Sequence, residues 1–149
     1  MRINKKGLDL IKKYEGFRSK PYLCPANVAT IGYGATYYPY GEDVTLSDSP
    51  ITKEEGEKLL KVMMDKYEEG VERYVTSDIN DNQFSALVSF AYNCGLGSLK
   101  KSTLLRRVNS NPNNPDISKQ FARWKHANGV VLKGLERRRK EESELYFSL

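Results

Sequence analysis

The sequence predicts an α+β protein: a small β-rich N-terminal lobe and a larger helical C-terminal lobe joined by a long helix. Three observations carry that reading. From Phe17 to Asp48 helical periodicity disappears, and Tyr, Val, Thr and Ile alternate with Gly and Pro. A capping signal, Thr52-Lys53-Glu54-Glu55, then opens a run in which Leu60, Met63, Met64, Tyr67, Val71 and Tyr74 keep helical spacing. Several shorter apolar-periodic segments follow, separated by Asn, Pro and Gly.

Taken in order, Lys5 to Tyr14 reads as a short amphipathic helix with Leu8 and Ile11 on its apolar side, Asn4 as N-cap and Gly16 at its stop. Tyr22-Leu23, Ala29 to Tyr33 and Tyr37-Tyr38 read as short strands, with turns at Pro25-Ala26-Asn27 and Pro39-Tyr40-Gly41. After the connecting helix, Phe84, Leu87, Val88 and Ala91 mark a helix central to the second lobe. Helices are expected over Ser102 to Val108, Ser118 to His126 and Leu135 to Phe147, with Gly129 and Gly134 bracketing a turn. The chain is therefore expected to be one domain, 1–149: a lobe over about 14–50, a connecting helix over about 52–74, and a helical lobe over about 80–149 that takes in the N-terminal helix 5–14.

The 149 residues are 39% hydrophobic and 29% charged, an ordinary globular balance. The net charge of +5 suits an anionic partner such as nucleic acid, a membrane surface or an anionic cell wall. The cations read as scattered and largely paired, as in Arg137 with Glu141 and Arg138 with Glu142, which predicts a solvated face and no nucleic-acid partner. No apolar run reaches the ~20 residues needed to cross a bilayer, so membrane insertion is not expected. The N-terminus carries basic residues without the apolar core of a signal peptide. The protein is expected to accumulate in the cytosol of the cell that makes it. Two cysteines and one histidine supply neither a disulfide framework nor a zinc site, so no metal or cofactor is expected. Nothing suggests an interface helix, and a monomer is expected.

Glu15, Cys24 and Thr30 form the chemical candidate. Glu15 ends the first helix, where the dipole favours the protonated carboxyl that a general acid needs. A hairpin after that helix can fold Cys24 and Thr30 towards it. The Thr30 hydroxyl can hold a water by hydrogen bonds. A thiol at Cys24 can act as thiolate base, as transient nucleophile or simply shape the pocket. Taken singly, each residue has a plain structural reading as surface helix end, small buried residue or strand filler.

Together they carry a resemblance. Glu15, Cys24 and Thr30 fit a motif of Glu, eight residues, Asp or Cys, five residues and Thr. The flanks Tyr14-Glu15-Gly16-Phe17-Arg18 and Thr30-Ile31-Gly32-Tyr33-Gly34 fit as well. So do Gln83 to Asn93, Ser102-Thr103-Leu104-Leu105, Phe121-Ala122-Arg123-Trp124 and Gly134-Leu135 with Arg137-Arg138. In these, over nearly its whole length, the chain resembles the phage-type lysozyme family, closest to the branch of lambdoid phages and prophages.

The resemblance implies a lysozyme-like fold and hydrolysis of the β-1,4 bond between N-acetylmuramic acid and N-acetylglucosamine in peptidoglycan, for host-cell lysis. It implies Glu15 as acid, direct attack by water, glycan contacts from Gln83 and Asn93, and an arginine, taken as Arg137, that positions the acid. It implies release to the cell wall through a separate holin. Ala35 departs from the family pattern, which has His after Gly-Tyr-Gly. That puts a lobe-stabilising ion pair in doubt, not the activity. Two neighbouring chemistries compete: a wall-binding relative without activity, and a lytic transglycosylase, which uses one Glu and no water.

Overall fold

The computed structural model describes residues 1–149. It contains seven helices and two small antiparallel sheets. Contacts divide the chain into two compact units, Ile11–Lys66 and Met1–Leu10 with Tyr67–Leu149. The borders of these units fall inside helices: both α1 (Lys5–Glu15) and α2 (Lys53–Tyr74) contribute residues to each unit.

The unit of 11–66 holds the end of α1, the hairpin of β1 (Arg18–Leu23) and β2 (Ala29–Gly32), a loop, and the first turns of α2. The expected turn at Pro25-Ala26-Asn27 forms. Asn27 takes φ 64°, a left-handed conformation that Asn tolerates, and its amide donates to the Cys24 carbonyl at 2.8 Å. Tyr37-Tyr38, expected as a strand, makes only one isolated bridge, Tyr37 to Asp43. The chain instead turns at once through Gly41 (φ 90°), whose amide bonds the Tyr38 carbonyl at 2.9 Å. Ala35 is buried and exchanges both backbone hydrogen bonds with Ile31, each 2.9 Å long. The expected capping box opens α2: the Glu55 amide donates to Thr52 Oγ1 (3.1 Å), and Glu55 Oε1 accepts from the Thr52 amide (3.0 Å).

Glycine fixes how tightly this unit closes. A Cβ on Gly56 would stand 2.6 Å from Cε1 of Phe17, and Gly32, at φ 66°, lies against the Gly56 backbone. Phe17 also leans on Tyr33, with ring centroids 5.4 Å apart. The base of the hairpin is thereby pinned to α2.

The other unit is built around α3 (Asp81–Cys94), whose residues from Gln83 to Ala91 are all buried. Packed with it are α4 (Leu96–Lys101), α5 (Thr103–Ser110), α6 (Asp116–Ala122) and α7 (Lys133–Tyr146), with a core of Phe84, Leu87, Phe90, Leu99, Phe121 and Tyr146. Trp124 is half-buried and meets Phe90 edge-on at 5.3 Å. Asn4 caps α1 as expected, its side chain accepting from the Gly7 amide at 3.0 Å.

Two departures stand out here. The helix expected to reach His126 stops at Ala122, and β3 (His126–Ala127) pairs with β4 (Val130–Val131). Asn128 (φ 51°) and Gly129 (φ 77°) make the tight turn between them, the conformation that Asn-Gly favours in hairpins. Second, the Arg138–Glu142 pair is not solvated. Arg138, Arg139 and Glu142 are at most 2% exposed. Glu142 Oε2 accepts from Ser89 Oγ (2.6 Å), Arg139 Nη2 (3.1 Å) and Arg138 Nε (3.3 Å). Arg139 Nε lies 2.7 Å from Glu142 Oε1, but without hydrogen-bond alignment, so the attraction there is electrostatic. The spacing gave the pair correctly; the tight packing of α7 on α3 takes it out of water.

Candidate active site

Glu15 is the last residue of α1, and the helix ends because Gly16 turns left-handed (φ 70°) with its amide on the Lys12 carbonyl at 3.0 Å. The carboxyl-bearing side chain is half-buried. Phe17, wedged against Tyr33 and Gly56, follows directly and anchors the backbone that presents Glu15.

The hairpin sets the other two groups. In its register Tyr22 lies opposite Thr30 and Leu23 opposite Ala29. Side chains alternate along a strand, so Tyr22 and Cys24, two apart, fall on one side together with Thr30. Thr30 is buried, and its hydroxyl donates to the Val28 carbonyl at 2.9 Å. Cys24 is a free thiol, half-buried, on the shoulder of the turn. The amides of Val28 and Ala26 and the Thr30 hydroxyl act on its sulfur and hold the thiol below its ordinary range, against a smaller opposing effect of burial. The Thr30 hydroxyl has one proton for two acceptors. It stays on Val28 while Cys24 is a thiol and can turn to the sulfur once Cys24 ionises.

Tyr22 ties the constellation together. Burial pushes its phenol up, the charge of Glu15 pushes it further, Arg18 pulls it down, and Cys24 adds a smaller push upward. Glu15 and Cys24 therefore both act on the phenol that stands across the strand pair from Thr30. The Arg18 guanidinium covers the Tyr22 ring at 4.2 Å. Neither Tyr22 nor Arg18 was among the sequence candidates. Two-residue alternation back from Cys24 along a strand beginning at Arg18 would have found Tyr22.

The remaining candidates lie in the other unit. Gln83 closes the capping box of α3, whose N-cap is Asn80: its Oε1 accepts from the Asn80 amide at 3.0 Å, its Nε2 donates to the Pro112 carbonyl at 3.4 Å, and it is 6% exposed. Of its two readings the structure displays the cap. Asn93 is exposed near the end of α3. Arg137 is exposed on α7, unlike Arg138 and Arg139 beside it. Cys94 is a free thiol that accepts from Arg139 Nη1 at 2.7 Å, and burial pushes it up.

The family model described as phage lysozyme matches residues 12–142, a span that takes in all these positions. The chain belongs to the phage lysozyme family. It is 40% identical to an endolysin of Bacillus phage B103 over 99% of its own length and 55% of that protein's. It is 34% identical to the endolysin of Salmonella phage P22, over 96% of this chain and 97% of that one. The chain thus spans little more than half the length of its Bacillus phage relatives and nearly all of the P22 protein. Among solved structures, an endolysin from Escherichia coli O157:H7 phage FAHEc1 superposes with a TM-score of 0.88 at 32% identity, covering 99% of this chain and 94% of that one. The muramidase domain of SpmX from Asticaccaulis excentricus gives 0.85 at 32% identity, with 99% of each chain covered. The lysozyme-like α+β architecture expected from sequence is the one these neighbours share.

Proposed function

We propose that this phage lysozyme is an endolysin that hydrolyses the β-1,4 bond between N-acetylmuramic acid and N-acetylglucosamine of peptidoglycan. The observation that carries the reading is the placement of Glu15 at the end of α1, just ahead of a hairpin whose register sets Tyr22 opposite Thr30, with Cys24 at the start of its turn. Glu15 protonates the leaving glycosidic oxygen as the C–O bond breaks. A water held by the Thr30 hydroxyl attacks the anomeric carbon, and its proton passes to the Cys24 sulfur, whose thiolate the hairpin amides stabilise. Direct attack inverts the configuration. A covalent glycosyl–sulfur intermediate would retain it.

Asn93 is proposed to bind the glycan, and Arg137 to hold the acid in place. The protein acts as a monomer and reaches the wall through a separate membrane-permeabilising partner. No helix is long and apolar enough to cross a membrane. Relatives from bacteriophages PS119 and PS34 are named SAR-endolysin.

The decisive experiment is digestion of purified peptidoglycan with mass spectrometry of the fragments. Wild type adds one water to each cut bond, and Glu15→Gln loses at least about a thousandfold in rate, as removal of a general acid within a preorganised site implies. Equal rates, or anhydro sugars in place of hydrated ends, overturn the reading. In parallel, Cys24→Ser loses most activity and Cys24→Asp keeps it. Unchanged turnover in Cys24→Ser reduces the sulfur to packing.

A further inference from the structure

The net charge of +5 is not spread evenly. The sequence reads as if its cations were scattered and paired, yet α6, the segment after it and α7 gather seven basic side chains around two adjoining hollows of about 650 and 320 Å³. They are Lys119, Arg123, Lys125, His126, Arg137, Arg139 and Lys140, and the two hollows share Ala122 and Lys125 as a common wall. Only Glu136 and Glu144 oppose them on the lining. Lys125 approaches Glu136 no closer than 4.0 Å. Arg123 donates to the neutral Gln120 amide at 3.3 Å. Asp116, on which Lys119 acts electrostatically, is engaged by Arg107 at 3.1 Å.

We infer that the stretch of this groove formed by Lys119, Arg123, Lys125 and Lys140, leaving Arg137 to the acid, binds an anionic phosphodiester polymer carried by the cell wall, apart from the glycan that the hairpin acts on; the inference rests on the wall-degrading function proposed above. The kind of cation decides the kind of anion. A single carboxylate or phosphate is best held by a buried, preorganised guanidinium fork. The two buried guanidiniums beside the groove are already spent, Arg138 on Glu142 and Ser89, Arg139 on Glu142 and Cys94. What otherwise faces the groove is a set of lysines and arginines, exposed apart from the half-buried Lys125. Each is worth little alone in water. Added along a polymer that repeats its charge and releases counterions, they give firm, salt-dependent attachment. A wall enzyme held in this way stays near its substrate between cuts.

The test uses walls of a Gram-positive bacterium bearing teichoic acid, the same walls stripped with hydrofluoric acid, and the full chain with a catalytically inert Glu15→Gln background for binding. Wild-type retention on untreated walls exceeds that on stripped walls by at least about tenfold at low salt, and the excess vanishes as salt rises. The triple change Lys119→Glu, Arg123→Glu, Lys140→Glu abolishes the excess. A control with the same change in net charge, Lys53→Glu, Lys58→Glu, Lys61→Glu on α2, retains most of it, with both variants checked for folding by circular dichroism. Digestion of stripped walls by the active triple variant stays at the wild-type rate, so failure here and failure of the glycosidase reading are told apart. Equal retention on stripped and untreated walls overturns the inference, as does equal loss in both triple variants. Binding of duplex DNA as tight as that of the untreated walls overturns it too, by showing a general polyanion surface.

Discussion

Two polar constructions in this molecule invite comparison: the Cys24–Thr30 hairpin and the Arg138–Arg139–Glu142 cluster. In the hairpin every partner comes from a few residues away. The Thr30 hydroxyl reaches Val28, and the Cys24 backbone bonds Val28 and Asn27. In the cluster, α7 reaches Ser89 across 49 and 53 residues of sequence, and nothing is more than 2% exposed. The hairpin spends local geometry on a thiol and a hydroxyl while water stays close. The cluster spends long-range packing on charges that water cannot relieve. Chemistry and stability are therefore expected to fail separately.

The largest expected effect breaks the cluster. Glu142→Gln removes the buried carboxylate that both guanidiniums share, a loss of about 3–5 kcal/mol. Against a typical total of roughly 5–15 kcal/mol, that is a large share of the fold's stability. Denaturant unfolding should show it as a collapsed midpoint, while molecules that remain folded cut peptidoglycan normally. Cys24→Ser is the counterpart, with activity lost and the midpoint nearly unmoved. A stable Glu142→Gln protein would remove the contrast between the two constructions.

Next in size is Gly56→Ala. Alanine favours helix by about 1 kcal/mol over glycine, but its Cβ meets the Phe17 ring at 2.6 Å, and overpacking costs about 1–3 kcal/mol. A modest net destabilisation follows. Because Phe17 adjoins the end of α1, kcat should fall further than stability does, with KM little changed. An increase in both stability and kcat would show that the ring moves aside freely and does not position Glu15.

The same contrast explains what could be read from the sequence. Hairpin and caps were legible because their causes lie within a few residues: the Thr52–Glu55 box, the Asn4 cap, the Gly16 stop and the Asn27 turn all formed. The Asn128-Gly129 turn was equally local, and its signal was present but overridden by the apolar pattern leading to Trp124. What stayed hidden depends on distant partners. An Arg four residues before a Glu on an exposed helix looks the same as one packed against α3, so Arg138–Glu142 read as solvated. Gln83 had two equal readings until Asn80 and Pro112 occupied its amide. The charge groove needed α6 and α7 side by side, which no one-dimensional spacing displays.

A smaller effect returns to the hairpin. Thr30→Val keeps the shape of a buried residue and deletes one hydrogen bond, leaving the Val28 carbonyl without that donor. The stability loss is about 1 kcal/mol. The rate loss should be larger, tenfold or more if the hydroxyl orients the attacking water. Thr30→Ser restores the hydroxyl, and most of the rate with it. A Thr30→Val enzyme of full activity would leave Cys24 alone to place the water.

The smallest effect is a matter of pH, and its sign follows from the hairpin amides. They make the folded thiol of Cys24 more acidic than an unfolded one, whose ordinary value is about 8.5. Stability from this source is therefore fully present above that value and fades as pH falls through the folded thiol's own, lower value. The sulfur lies near water, so unfolding midpoints should drift only slightly across that window. Activity magnifies the same titration. If the thiolate accepts the proton of the attacking water, the wild-type rate climbs with pH through the folded thiol's range, whereas Cys24→Asp moves that climb down by several units toward the carboxylate range near about 4. A pH–rate profile whose rising limb is identical in the two enzymes would assign the limb to another group and leave the sulfur no part in proton transfer.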